Sequence, residues 1–151
     1  MMNKIILLAI ALFSFHNHSQ AQSKKMPSFN HLAINVADLK KSNSFYANII
    51  GLDTIPEPFH DNKHTWFSLG TKMALHVIES SVRPTIFYKG NHLCFSVASV
   101  EQITKMLKKH TIKWEDWQGA AYGILARPDG VKQIYLQDPD GYWIEINDAK
   151  Q

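Results

Sequence analysis

Apolar and polar positions alternate along Asn30-His31-Leu32-Ala33-Ile34-Asn35-Val36, and again along Asn91-His92-Leu93-Cys94-Phe95-Ser96-Val97. A period of two predicts a strand in each stretch, the first over about 29–36. One face holds Leu32, Ile34 and Val36, or Leu93, Phe95 and Val97. The opposite face holds His31, Ala33 and Asn35, or His92, Cys94 and Ser96. A face that needed only burial would carry branched residues. Small residues behind a leading histidine leave room for a ligand.

The elements after each copy also correspond. Asp38 is suited to cap a helix with Leu39, Phe45, Tyr46 and Ile49 at helical spacing, ended by Gly51. The stretch 53–58 reads as a strand broken by Pro56 and Pro58, and 61–64 as a turn. Residues 65–69 and 73–79 then form a hairpin around Gly70. In the second half, Ser99-Val100-Glu101-Gln102 predicts a capping box opening a helix with Val100, Ile103 and Leu107 on one face. Residues 110–114 lead from that helix into a strand, 119–127 is irregular, and Pro128-Asp129-Gly130 is a turn. Residues 133–137 and 142–147 flank Asp138-Pro139-Asp140-Gly141, a strong turn signal. Each half is a strand, a helix and three strands. The expected fold is α+β, two βαβββ modules over about 28–80 and 90–148, duplicated within one domain.

The N-terminus changes the picture of where this domain works. Lys4 precedes an apolar run from Ile5 to Phe15, too short to span a bilayer, and Ser19-Gln20-Ala21 offers a small-x-small cleavage site. Residues 1–21 are expected to be a signal peptide and 22–27 a polar lead-in, giving an exported, periplasmic or secreted, protein without a membrane anchor. No cysteine follows the apolar run to carry a lipid.

Composition adds exclusions. The 151 residues carry 16 Lys and Arg against 13 Asp and Glu, for a formal net charge of +3. The basic residues are scattered, apart from pairs such as Lys108-Lys109, which argues against a nucleic-acid partner. Cys94 is the single cysteine, so no intramolecular disulfide can hold the fold. Its place in an alternating strand makes it a filler rather than a nucleophile.

The closing hairpin strands repeat the two-faced pattern. Leu75 and Val77 stand opposite Ala74, His76 and Ile78; Ile144 and Ile146 stand opposite Trp143, Glu145 and Asn147. About a pseudo-twofold axis, His31, His76, His92 and Glu145 are expected to line one concave surface. Imidazole with carboxylate suits a divalent zinc, nickel, cobalt, manganese or iron ion. A carboxylate between two branched apolar residues needs a cation or hydrogen bonds to hold it. His76 can be a fourth ligand or a free acid/base. Tyr135 shares a face with Gln133 and Gln137 and can reach the cavity. Lys89 and Arg127 lie in loops from which they can bind an anionic substrate group. His60 and His64 fall in a polar turn and are expected to be solvent-exposed.

These residues resemble the vicinal-oxygen-chelate superfamily, the glyoxalase/bleomycin-resistance/dioxygenase group. The resemblance covers roughly 28–147 and rests on His31-Leu32-Ala33-Ile34-Asn35-Val36-Ala37-Asp38-Leu39, Ser44-Phe45-Tyr46, Gly51-Leu52, Trp66-Phe67-Ser68-Leu69-Gly70, Leu75-His76-Val77-Ile78, Asn91-His92-Leu93 and Asp138-Pro139-Asp140-Gly141-Tyr142-Trp143-Ile144-Glu145. It implies sheets curled around a metal that chelates two neighbouring oxygens of a small-molecule substrate. His31, His92 and Glu145 match the metal ligands. His76 matches the fourth ligand position of glyoxalase-type lyases, where glutamate is usual.

The implied activity is a metal-dependent, glyoxalase-like lyase or isomerase working through an enediolate-type intermediate, with Glu145 or His76 moving the proton and Tyr135 near the substrate. An extradiol-type iron dioxygenase is the alternative, with Tyr135, Asp138, Pro139, Gly141 and Glu145 matching its pattern. A fosfomycin-type thiol transferase and a non-catalytic ligand-binding module are further ones. In this family a site can form within one chain or across a homodimer.

Overall fold

The computed structural model describes residues 26–150. The apolar leader and the cleavage site at Ala21 lie outside the described residues.

The alternating strand β1 (His31–Val36) buries Ile34 and Val36. Helix α1 (Leu39–Phe45) follows, its first turn capped by Asp38, whose carboxylate accepts from the Lys41 amide at 3.0 Å. A π-type turn over Tyr46–Ile50 continues it, and Gly51 ends it at φ 85°, a left-handed conformation open to glycine. β2 (Thr54–Ile55) stops at Pro56, which has no amide to continue a ladder. β3 (His64–Ser68) and β4 (Ala74–Glu79) close the module.

The second module repeats the order with β5 (His92–Ser96), α2 (Val100–Lys109), β6 (Leu125–Ala126), β7 (Lys132–Gln137) and β8 (Trp143–Asn147). Ser99 caps α2 by accepting from the Gln102 amide at 3.3 Å, while its own hydroxyl donates to Glu101. The strand expected directly after α2 is replaced by an irregular crossing. There Trp114 is buried and Glu115 makes isolated bridges to Ala121 and Tyr135. Thr111, at φ 59°, turns the chain away from an extended path.

Two four-stranded sheets result, ordered β1-β4-β3-β2 and β5-β8-β7-β6. In each, the first strand runs parallel to the last and the others pair antiparallel. Register sets which residues share a face. Leu32 opposes Leu75, which opposes Phe67; Leu93 opposes Ile144, which opposes Leu136. These apolar faces join α1 and α2 in one continuous core that includes Val77, Leu107, Ile134 and Ile146.

The modules are tied through the β7–β8 turn. Asp140 accepts from the Ala37 amide at 2.7 Å and the Ser42 hydroxyl at 3.0 Å, and Tyr46 donates to Asp138 at 2.7 Å. Tyr142 exchanges two bonds of 3.2 Å with the Asn35 backbone. Gly141 sits at φ 100°, and a Cβ there would stand 3.1 Å from the Phe87 ring, so both torsion and space demand glycine.

Candidate metal centre

Register brings His76 beside Ala33 on one side and Trp66 on the other. The three adjacent strands thereby build a ring column. His31 stacks on His76 with centroids 4.2 Å apart, and His76 stacks on Trp66 at 3.9 Å and 1°. Both faces of the His76 imidazole are covered, so only its edge is available to a ligand. Burial, and then the neighbouring His31, pull the His76 pKa below its ordinary value. His31 is exposed, with Nδ1 held 2.8 Å from the Asn30 carboxamide.

The second sheet carries the matching pair. Cys94 and Tyr135 flank Glu145 in register. Glu145 is buried, and three donors serve its carboxylate. Tyr135 donates to Oε2 at 2.6 Å and Asn147 to Oε1 at 2.9 Å, with the Cys94 thiol 3.4 Å from Oε1. Burial alone would raise this carboxyl, but the bonds from Tyr135, Asn147 and Cys94, with His92 beside them, hold it below its usual range. The same surroundings act oppositely on their donors. Burial, then Glu145, pushes the Cys94 thiol up to about 12, so it is no nucleophile at neutral pH. Tyr135 is raised too, and its phenol stays protonated.

His92 completes this half. Its Nδ1 lies 2.7 Å from the Lys89 carbonyl, and its Nε2 lies 3.1 Å from Glu145 Oε2. A carbonyl only accepts, so Nδ1 carries the proton. In the neutral ring, the Nε2 lone pair then faces a carboxylate oxygen. That arrangement is satisfied by a proton or a cation between the two. A histidine oriented by a backbone carbonyl beside an ionised carboxylate fits a divalent metal.

The four residues expected around one hollow form two pairs instead. His31 meets His76, and His92 meets Glu145. Among the described residues no three His, Cys, Asp or Glu side chains converge enough to hold one ion. The reason is the way the modules are joined: their bonds run through the 138–142 turn to β1 and α1, not between the histidine-bearing faces.

Other expectations are corrected by geometry. Lys89 is not a free receptor for an anion. Its ammonium pairs with Glu115, donates to the Asp116 and Trp117 carbonyls at 3.1 and 3.2 Å, and lies 4.9 Å from the Trp143 ring centroid. Arg127 pairs with Asp129 two residues away, across the turn that the sequence signals there, although Glu145 and Cys94 are within its electrostatic reach. His60 is exposed as expected, but His64 opens β3, half-buried, its ring stacked 4.4 Å from Phe59 and its Nδ1 2.9 Å from Asp61.

Sequence reasoning did not single out Trp66 or Asn147 as supports. Their signal was present: Trp66 is the cross-strand partner of His76, and Asn147 lies two positions beyond Glu145 on the same face.

With this geometry, the likeness to known proteins becomes specific. Residues 28–146 match the family model described as Glyoxalase/Bleomycin resistance protein/Dioxygenase superfamily. Mouse mitochondrial methylmalonyl-CoA epimerase is 33% identical over 136 residues, spanning 83% of this chain and 75% of that one. The metallothiol transferase FosB of Lysinibacillus sphaericus is 31% identical over 122 residues, spanning 80% and 81%. A solved structure, of a putative glyoxalase family protein from Bacillus anthracis, superposes with a TM-score of 0.63 at 26% identity, covering 83% and 97%. The chain belongs to the glyoxalase/bleomycin resistance protein/dioxygenase superfamily.

Proposed function

We propose that this protein is a metal-dependent lyase or isomerase of the glyoxalase type, acting on a small substrate with two neighbouring oxygens. The observation that carries the reading is the His92 ring, fixed by the Lys89 carbonyl at 2.7 Å with Nε2 turned toward Glu145. His92 and Glu145 would hold the ion from one module, and His31 and His76 from the other. When bound, the metal supplies Lewis-acid stabilisation of negative charge on the substrate oxygens. Glu145 moves a proton from the carbon beside a carbonyl, and Tyr135 keeps that carboxylate oriented and ionised. The Cys94 thiol stays protonated beside it.

Two half-sites that do not meet within one chain lead to an assembly. We infer that a second copy completes each centre, with His31 and His76 of one chain facing His92 and Glu145 of the other. Apolar side chains left exposed in each module support this, among them Phe59 at 57% and Trp117 at 47%. We also propose that the working protein begins near Gln22 after export, because of its short apolar leader.

The test is purification of the cleaved protein without chelator, followed by metal analysis and mass measurement in solution. One ion per half-site pair in a dimer supports the reading. A metal-free monomer that zinc, nickel, cobalt, manganese and iron all fail to stabilise overturns it.

An iron-dependent dioxygenase is the second reading, favoured by the Tyr135 hydroxyl 2.6 Å from Glu145; His31 of a second copy would join His92 and Glu145 to make the two-histidine, one-carboxylate set. Ferrous-dependent oxygen uptake with catechols separates it from the lyase, which consumes none. Thiol transfer, the activity named for the FosB relative, is separated by loss of free thiol in the presence of an electrophile.

A further inference from the structure

Between α2 and the crossing that follows it lies a cavity of about 640 Å³, on residues that the metal reading does not use. Its walls include Ile112, Trp114 and Tyr122, and three lysines, Lys105, Lys108 and Lys113, stand around it with no carboxylate among the lining residues. Among the described residues none of the three ammonium groups reaches an ion-pair partner, as is true of most lysines here, so their charge is available to a ligand. The dipole of α2 explains Lys108 in its last turn, but not Lys105, further from the C-terminus, or Lys113, beyond the helix.

Trp114 supplies the second observation. It is 8% exposed, and its buried indole N–H has no acceptor among the described residues. Tyr122 packs edge-on against this indole at 4.8 Å, leaving an aromatic wall beside the cationic rim. A void of this size with apolar walls and few polar groups is in the range of small-molecule sites.

We propose that this cavity binds an amphipathic organic anion, its apolar body against Ile112, Trp114 and Tyr122 and its acidic end among the lysines. A short alkyl carboxylate matches both features: a chain for the aromatic wall and a single charge for the rim.

The test uses decanoate as the probe and decanol as its uncharged counterpart, with the full-length purified protein labelled with ¹⁵N. The four tryptophans give separate indole N–H signals. Decanoate is expected to bind saturably and to move the Trp114 signal, assigned through its sequential connectivities and, where it folds, by its loss in Trp114→Phe. The triple variant Lys105→Glu/Lys108→Glu/Lys113→Glu should weaken decanoate by about tenfold or more with an unchanged amide spectrum elsewhere, and decanol should bind the parent about tenfold more weakly than decanoate. The proposal is overturned by a Trp114 signal that decanoate leaves in place, by equal affinity for decanol, or by an unaffected triple variant. The site stands apart from His92 and Glu145, so metal content and these titrations fail or succeed independently.

Discussion

His92 Nε2 and Glu145 Oε2 lie 3.1 Å apart on neighbouring strands, with the far side of the imidazole locked by the Lys89 carbonyl. On the proposed metal-dependent reading, this pair is already in place, so little reorganisation would be needed for it to take an ion. Replacing His92 with alanine removes half of the pair. His92→Ala is expected to abolish metal retention through dialysis and to remove any rise in melting temperature on metal addition, measured by differential scanning calorimetry.

Tyr135 supports the same carboxylate from the other neighbouring strand. Its hydroxyl donates to Glu145 at 2.6 Å and accepts from Gln133 at 3.1 Å. Tyr135→Phe keeps the ring and deletes that donor. Metal affinity or turnover should fall roughly 10–100-fold, the usual effect of losing such a support. Competition with a metal-binding dye measures the affinity.

Tyr46 joins the modules from within the core. It is fully buried, and its hydroxyl donates to the buried Asp138 at 2.7 Å. Tyr46→Phe leaves a carboxylate oxygen short of a partner at low cost in packing. A loss of about 1–3 kcal/mol in unfolding free energy is expected from urea titration.

The metal-free protein should also carry a pH signature from His76. Its pKa is depressed in the fold by burial and by His31, relative to the ordinary 6.5. Between the two values the unfolded chain binds more protons than the native one. Stability therefore rises with pH through that window, reaches its full value above 6.5, and is lost as the pH falls toward the depressed pKa. His76→Asn should flatten this rise. Urea midpoints collected across pH 5 to 8 on chelator-treated protein check it.

Much of this was legible in the residues. Period-two alternation placed β1, β4, β5 and β8, and their two-faced character separated Leu75 and Ile144 from His76 and Glu145. The repeat of the histidine-led strand pointed to both side-chain pairs, His31 with His76 and His92 with Glu145. Alternation says nothing, however, about how two sheets are set against each other, and so the four ligands were expected together where the chain holds them in pairs. Loop charges misled for a related reason. Lys89 reads as free in one dimension, yet Glu115, far along the chain, claims it. His64 was assigned to the turn because its neighbours are polar, whereas the β3 ladder to Ile78 begins with it. The break after α2 was also hidden, since a left-handed Thr111 has no sequence marker of the kind glycine provides.

The turn from Asp138 to Tyr142 has one more implication. By clasping β1 and α1 it welds the halves together at a point far in sequence from the 81–88 stretch that connects them. A chain nicked by protease in that stretch should stay associated and keep its shape, and two separately expressed fragments should find each other. Covalent continuity would then be dispensable, with the aspartate-bearing turn serving as the hinge pin of the whole molecule.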